Sequence, residues 1–252
     1  MSTSPRVQNE PAWLLHHRPF RDSSQILDIL SRDHGRLAVV AKGSRGARSK
    51  LRGILRPFLP LQLSWVIRSD LGTLTGAELD GAPLSLSGDA LLSGYYVNEL
   101  ILKLLHRHDP QPEIFVTYGK TIERLAGNNE VAEHLRRFEI ELLRMLGYAL
   151  NLDHDTQTKE PLRLRQHYEY RAAEGPVPIS DGGRAGPMVF TGAELDAIQQ
   201  QQFADRAVLK NAGTLLRSVI AYHLDGKELK SRKVLKEMHR TMDHQEAKEI
   251  ER

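Results

Sequence analysis

The stretch Lys42–Arg56 combines six basic residues with three glycines and contains no acidic residue. The glycines allow the main chain to approach a ligand closely or to take positive φ. Arginine and lysine donate charge-assisted hydrogen bonds to phosphate oxygens, which hold a nucleic acid without reading its sequence. The pattern predicts that basic side chains of this stretch contact phosphates: Lys42, Arg45, Arg48, Lys50, Arg52 and Arg56. Arg36, in the strand-like segment just before the stretch, is predicted to contribute as well. A solvated surface loop is the alternative, since charge runs are usually solvated.

Basic charge is concentrated at the N-terminal end of the chain. Residues 1–80 contain 12 Lys and Arg against 7 Asp and Glu, so the remaining residues carry −2 of the total +3. This asymmetry favours a polyanionic partner for the N-terminal module. A second basic cluster, Lys230, Arg232 and Lys233 with their neighbours Lys227 and Lys236, fits DNA contact and a solvated helix face equally well.

Other chemistry has little support in the sequence. The absence of cysteine excludes disulfides, thiolate metal sites and a cysteine nucleophile. His106 and His108, two residues apart, could share a metal on a strand, but they fall at a predicted helix end, where the helix dipole favours cationic side chains. Glu139 and Glu141 are expected to face solvent. No hydrolase or nucleotide-binding signature is convincing. We therefore expect no enzyme, no cofactor and no metal, in a soluble cytosolic protein without a signal peptide or membrane span.

The basic loop needs a scaffold, and the surrounding residues alternate in polarity with period two. The candidate strands are Ala12–His17, Gln25–Leu30, Arg36–Ala41, Pro60–Arg68 and Leu71–Glu78. Five short strands with turn residues between them predict a small barrel of the OB type. An SH3-like barrel would give a similar pattern.

Beyond residue 80 the apolar spacing becomes helical, so the predicted fold class is α+β and multidomain. Helices are expected up to Leu105, over Ile114–Ala126 and over Glu130–Leu146. Thr191 and Glu194 have the spacing of a capping box before further helix through Leu224. The predicted organisation is 1–10 disordered, 11–80 barrel, 81–150 helical, 151–190 irregular and partly β, 191–242 helices packing on the helical domain, and 243–252 a flexible tail.

Arg136 and Arg137 lie together on the third helix, beside the apolar residues Leu135 and Phe138. Two adjacent guanidinium groups could hold the carboxylates of a partner. Ordinary surface arginines are the alternative.

Six segments of the chain resemble the RecO family of bacterial recombination mediators and follow that family's order. They are Ala12–Phe20, Gly35–Gly43, Leu55–Phe58, Tyr95–Leu100, Leu135–Glu139 and Leu224–Arg232. The resemblance implies an N-terminal OB-fold, a central helical domain and a C-terminal part that holds a four-cysteine zinc site in many relatives. Without cysteine, the region 151–187 is expected to be a metal-free version.

The function that this resemblance implies is DNA repair by homologous recombination. Family members bind single- and double-stranded DNA, anneal complementary strands and help RecA displace single-stranded-DNA-binding protein (SSB), with RecR as partner. The resemblance also implies that the acidic tail of SSB docks on the helical domain, which makes Arg136 the leading contact and Arg137 the second. A generic OB-fold nucleic-acid binder is the second hypothesis, and a nucleic-acid-modifying enzyme is a distant third.

Overall fold

A computed structural model describes residues 6–67, 70–127, 130–179, 186–231 and 233–234. The chain forms two compact units. The first contains Met1–Asn129 with Leu229–Arg252, and the second contains Glu130–Glu228. The helical region predicted as one domain, residues 81–150, is thus divided, because its first two helices pack with the N-terminal strands.

Five strands of the first unit close into a barrel with the order β1-β2-β3-β5-β4. Their bounds are β1 Arg6–Phe20, β2 Ser24–Ser31, β3 Gly35–Ala41, β4 Pro60–Val66 and β5 Leu71–Leu79. All neighbours are antiparallel except β3 and β5, which run parallel. This order with its parallel closing pair is that of an OB-fold, which confirms the predicted barrel and removes the SH3-like alternative.

Along each strand, alternate residues face inward, and their side chains fill the barrel interior. Leu14, Leu27, Leu37, Leu63 and Trp65 are among its fully buried members. Trp65 is part of this core, as the period-two pattern predicts. Because the wall is closed, none of the five strands is left as a free edge.

The first strand starts earlier than the sequence pattern indicates. Residues 6–10, expected to be disordered, belong to β1 and pair with β4, with Arg6 opposite Val66 and Val7 opposite Trp65. The carboxylate of Glu10 is buried and accepts hydrogen bonds from the Ser31 hydroxyl at 2.8 Å and the Asp33 amide at 2.7 Å. The polar sequence hid this strand because its partners are more than 50 residues away.

Two helices of the first unit are attached to the barrel at a bulge in β1. They are α1 (Gly88–Leu104) and α2 (Pro112–Gly127). The register of β1 against β2 shifts between Leu14 and His16, beside the Leu15 carbonyl. The Asn98 amide donates to that carbonyl at 2.8 Å and accepts a hydrogen bond from the Tyr118 hydroxyl at 2.7 Å. The bulge therefore provides the acceptor that fixes both helices.

The described residues of the second unit form three helices and a small sheet. The helices are α3 Val131–Met145, α4 Gly192–Gln199 and α5 Arg206–His223, and the strands are β6 His167–Arg171, β7 Gly175–Pro178 and β8 Val189–Thr191. The strand order is β7-β6-β8, with both pairs antiparallel. This sheet is the β part of the predicted irregular region.

The helical stretch after Thr191 is two helices rather than one. Thr191 and Glu194 form the predicted capping box at the start of α4. The helix stops before Gln201, which has a φ of 52°, and Asp205 caps α5 by accepting from the Ala207 amide at 2.7 Å. The predicted last helix, Ser231–Met242, is described only at residues 231, 233 and 234, which are helical, and the predicted tail 243–252 lies outside the described residues.

Candidate nucleic-acid interface

The basic loop connects β3 to β4 and is tied to the barrel by its own backbone. Gly43 takes a φ of +66°, in the region that favours glycine, and turns the chain away from β3. The buried Ser44 hydroxyl donates to the Ala41 carbonyl at 2.9 Å. The Arg45 amide donates to the Ser23 carbonyl at 2.9 Å, which joins the loop to the turn between β1 and β2.

The apolar residues of the loop anchor it to the barrel core. Leu55 and Leu59 are buried in that core, and Leu51 and Ile54 pack against it from a short 3₁₀ turn over Lys50–Arg52. The backbone amides of Ile54 and Leu55 both donate to the Leu51 carbonyl, which places positions 51, 54 and 55 on one side of a helical turn, while Arg52 remains exposed. Burial of these apolar side chains therefore holds the loop, and the cations that it carries, in place on the barrel.

All six basic side chains of the loop are exposed, and none forms an ion pair with a described residue. The chain contains no Asp or Glu between Asp33 and Asp70, so the loop's own sequence supplies no counter-charge. One further cation lies near it, since Arg21 accepts a hydrogen bond at its carbonyl from the Arg45 guanidinium at 3.3 Å. An unneutralised cluster of this kind attracts a polyanion.

Part of the loop forms one wall of a groove of about 540 Å³ on the barrel. Three predicted cations line the groove, namely Arg45, Arg52 and Arg56. The remaining lining residues are His17, Pro19, Gln25, Ser44, Ala47 and Leu55. Lys42, Arg48 and Lys50 are exposed on the same loop but do not line the groove. The structure thus brings together half of the predicted loop cations at one concave site.

Arg36 lies apart from this groove, in a partly buried cluster at the start of β3. It neighbours Arg107 through a parallel β-bridge, and the Arg107 guanidinium reaches the Asp28 carboxylate at 3.5 Å. Burial, followed by the charge of Arg107, lowers the pKa of Arg36, and the charge of Asp28 partly opposes this shift. Arg36 is therefore a member of a local charge cluster and not of the loop surface.

The C-terminal cations Lys230 and Lys233 lie at the start of a helical turn, and Glu99 of α1 accepts hydrogen bonds from the first backbone amides of that turn. The Glu99 carboxylate accepts from the backbone amides of Lys230 at 3.0 Å and Ser231 at 2.9 Å, and from the Ser231 hydroxyl at 2.7 Å. The side chains of Lys230 and Lys233 are exposed, while Arg232 lies outside the described residues. Lys230 and Lys233 therefore present positive charge to solvent, and neither lines the groove.

The two arginines of α3 are both paired within their own unit. The Arg136 guanidinium lies 2.8 Å from Glu139, and the two side chains are only 14% and 0% exposed. Arg137 bonds to Glu133 at 2.7 Å and to the Gln201 side chain at 2.7 Å, and stacks over Phe203. Neither is an ordinary free surface arginine, and the expectation that Glu139 faces solvent is wrong.

Two groove residues were not predicted from the sequence. His17 lies near the end of β1 and Gln25 near the start of β2, so neither belongs to the basic stretch. Burial, and then the charge of neighbouring His16, lowers the pKa of His17, which makes it a neutral ring at neutral pH. Both residues flank the β1–β2 turn, which is the only local signal that could have placed them beside the loop.

The large aromatic residues offer few exposed ring faces near the loop. Trp13, Phe58 and Trp65 are buried, and Trp13 packs against Tyr118 of α2 with 5.4 Å between ring centroids. Phe20 is partly buried and lies under the Arg21 guanidinium. Base stacking on Trp13, Phe58 or Trp65 therefore has no structural support, because packing removes their faces from solvent.

The zinc site of many family relatives has no donors here. The chain lacks cysteine, and the described residues include no group of three His, Cys, Asp or Glu side chains that could hold a metal ion. In residues 151–179, hydrogen bonds hold the turns: Asp155 accepts from the Gln157 amide at 2.7 Å, and Thr156 donates to the Pro176 carbonyl at 2.9 Å. Buried Tyr168 and Tyr170 supply the packing.

A closed β1-β2-β3-β5-β4 barrel with a basic β3–β4 loop, followed by helices and a three-stranded sheet, defines an OB-fold protein with a helical C-terminal part. Residues 6–82 match the family model described as recombination protein O N terminal, and residues 85–233 match that described as recombination protein O C terminal. The chain belongs to the RecO family of DNA repair and recombination proteins, which is not a family of enzymes.

Full-length relatives support the same assignment. The chain is 40% identical to the DNA repair protein RecO of Azoarcus sp. (strain BH72) over 240 residues, which cover 94% of this chain and 99% of that protein. It is 40% identical to the DNA repair protein RecO of Dechloromonas aromatica (strain RCB) over 243 residues, again 94% and 99%. The corresponding protein of Methylococcus capsulatus (strain Bath) is 39% identical over 231 residues, 92% of this chain and 94% of that one.

Among the described residues, no helix has both the length and the apolar character needed to cross a membrane.

Proposed function

We propose that this chain binds single- and double-stranded DNA through the β3–β4 loop, anneals complementary strands and helps RecA replace SSB on single-stranded DNA. The observation that carries the proposal is the loop itself, in which six exposed cations without ion pairs among the described residues are held by apolar residues packed against the barrel core. Membership of the RecO family supports a role in DNA repair and recombination.

The physical chemistry of this loop suits an annealing protein. Contacts to phosphate contribute affinity that is nearly independent of base sequence, because every nucleotide presents the same charge. An annealing protein must hold strands of any sequence while most of their bases remain free to pair. The loop offers guanidinium and ammonium groups and no acidic residue that would repel the backbone.

The C-terminal cations Lys230, Arg232 and Lys233 are proposed as a second DNA contact. Lys230 and Lys233 are exposed, and the Glu99 cap uses the backbone of Lys230 rather than its side chain. A second phosphate contact on the same unit would let one molecule hold two strands, as annealing requires.

The proposed protein partners are SSB, RecR and, indirectly, RecA. The acidic C-terminal tail of SSB is proposed to contact Arg137, with Arg136 beside it. Arg137 is the more accessible of the two, with 35% of its side chain exposed against 14% for Arg136. A tail carboxylate would displace Glu133 or take the one Arg137 N–H that makes no hydrogen bond with a described residue. This role places the protein in the cytoplasm with the nucleoid.

An annealing assay separates the candidate functions. Complementary oligonucleotides, one pair bare and one pair coated with SSB, are mixed with and without the protein, and duplex formation is followed by fluorescence. A mediator accelerates annealing of both pairs. A generic OB-fold binder binds DNA but leaves the SSB-coated pair unannealed, and a modifying enzyme forms a new product when divalent metal is added.

A further inference from the structure

Gln25 is a buried polar residue whose side chain has no partner within the described protein. It lies in β2 between Pro19 of β1 and Ala41 of β3, and is 7% exposed. Its side chain lines the groove, and its carboxamide makes no hydrogen bond with any described residue. The carboxamide is reached by solvent from the groove, so its donor and its acceptor are available to a bound ligand.

The other groove residues restrict the chemistry of that ligand. Arg45, Arg52 and Arg56 can only donate hydrogen bonds and carry positive charge, so they select an anion. The Ser44 hydroxyl is already bonded to the Ala41 carbonyl. Pro19, Ala47 and Leu55 are apolar walls. Two groove side chains offer both a donor and an acceptor: the neutral His17 ring, whose two nitrogens point in different directions, and Gln25, whose carboxamide presents its donor and its acceptor side by side.

We infer that the groove seats one unpaired nucleotide of a DNA strand, with its phosphate on Arg45, Arg52 and Arg56 and its base edge on the Gln25 carboxamide. This inference rests on the proposed DNA-binding function. A carboxamide matches the paired donor and acceptor atoms of a base edge, whereas the three guanidinium groups match phosphate. The groove volume of about 540 Å³ is within the range of small-ligand sites, which suits a single nucleotide rather than a duplex.

The inference gives the protein a preference for unpaired DNA. In a duplex the Watson–Crick edge of each base is occupied by its partner, so only the phosphate contacts remain available to the groove. Single strands can use both kinds of contact. The preference would therefore come from one neutral side chain and not from additional positive charge.

The test compares Gln25→Met with the wild-type protein, because methionine keeps the length of glutamine and removes both hydrogen-bonding atoms. Affinity is measured by fluorescence anisotropy at fixed salt for a short single strand and for a duplex of the same length. We expect about tenfold weaker binding of the single strand, with unchanged duplex binding and an unchanged salt dependence. Gln8→Met, at an exposed position of β1, is the matched control and should bind both as the wild type does.

A second measurement uses a fully abasic single strand of the same length, which keeps every phosphate and removes every base. The wild-type protein should bind it about tenfold more weakly than the normal strand, and Gln25→Met should bind the two nearly equally. This comparison uses the folded wild-type protein, so it holds even where the variant is unstable.

Three outcomes would overturn the inference. Equal losses on single strand and duplex would mean that Gln25 contacts the backbone or supports the fold. Unchanged single-strand binding by Gln25→Met, or equal wild-type binding of normal and abasic strands, would mean that no base reaches the carboxamide. A different result would contradict the proposed function itself: unchanged binding of all DNA after the three groove arginines are replaced.

Discussion

Arg136 Nη1 lies 2.8 Å from Glu139 Oε2, one turn further along α3, and the Glu139 side chain is fully buried. The same guanidinium lies close to Gly213 of α5, where an added methyl group would be 3.5 Å from it. Arg136 therefore neutralises a buried carboxylate at the place where α3 meets α5.

The first prediction is that Arg136→Glu destabilises the protein itself. It would place a second carboxylate beside Glu139 and remove the charge that compensates it. Breaking a buried pair by removing one partner costs about 3 kcal/mol, at the lower end of the usual range because Arg136 is slightly exposed. Thermal or urea unfolding measures this loss.

The matched control is Arg144→Glu on the same helix. Arg144 pairs with Glu141 at 2.9 Å, but both side chains are exposed, so its reversal should change stability by only about 0.5 kcal/mol. If both reversals had the same small effect, the pair at Glu139 would not be structural. Arg137→Ala is therefore the cleaner variant for testing the SSB tail.

The second prediction concerns acid stability and Glu99. Burial raises the pKa of Glu99, but hydrogen bonds from Ser231, Lys230 and Lys103 outweigh burial and lower that pKa below its ordinary value of 4.5. The folded state then holds its proton less tightly than the unfolded state. The stabilisation is complete above pH 4.5 and is lost as the pH falls through the lowered pKa.

Glu99→Gln removes this stabilisation, so its melting temperature should be lower than that of the wild type at pH 7. Hydrogen bonds to a charged group contribute about 1.5–3 kcal/mol. The difference between the two proteins should shrink as the pH falls below 4.5. Glu123→Gln, at an exposed position of α2, is the control. A gap that stays constant down to pH 3 would argue against the cap.

The third prediction tests the attachment of α1 and α2 to the barrel. Asn98→Leu leaves the Leu15 carbonyl without its donor and the Tyr118 hydroxyl without its acceptor, both in buried surroundings. Each unsatisfied group costs about 1–3 kcal/mol. We expect a loss of about 3 kcal/mol in the free energy of unfolding.

Tyr118→Phe isolates one of these two bonds. It removes the hydroxyl and leaves the Asn98–Leu15 bond intact, so its cost should be smaller, about 1 kcal/mol. Burial raises the pKa of Tyr118, so the hydroxyl stays a donor at all ordinary pH values. Equal losses for Asn98→Leu and Tyr118→Phe would show that the bulge carbonyl contributes nothing.

The barrel was predictable because local alternation of polarity reports which strands are half-buried. Strand β4, Pro60–Val66, with Trp65 on its inner face, shows this clearly. The pairing of β1 with β4 and the parallel pair of β3 with β5 were not predictable locally, since they depend on contacts between distant segments. For the same reason, no local pattern marks residues 6–10 as part of a strand.

The candidate site was predictable in its charge and not in its shape. The six loop cations are evident from composition, but only the folded barrel separates Arg45, Arg52 and Arg56 from the other three. Gln25 lies in the groove because β2 pairs with β1 and β3 beside the loop, and this arrangement depends on the folded barrel rather than on local sequence. At Arg136, the spacing to Glu139 was visible, whereas the burial of Glu139 depends on tertiary packing.

The measurement that tests the central claim most directly is the salt dependence of single-stranded DNA binding by the variant with Arg45, Arg52 and Arg56 changed to Ala. Its control has the same loss of charge at three exposed positions of the second unit, Arg165, Arg206 and Lys210. Binding constants are measured over a series of salt concentrations, and unfolding curves confirm that both variants fold.

If the groove arginines bind phosphates, the slope of log K against log salt should become shallower by about 2, or about 0.7 for each phosphate that the variant no longer neutralises on a single strand. The control should keep the wild-type slope. A wild-type slope and affinity in the groove variant, or an equal change in the control, would contradict the account.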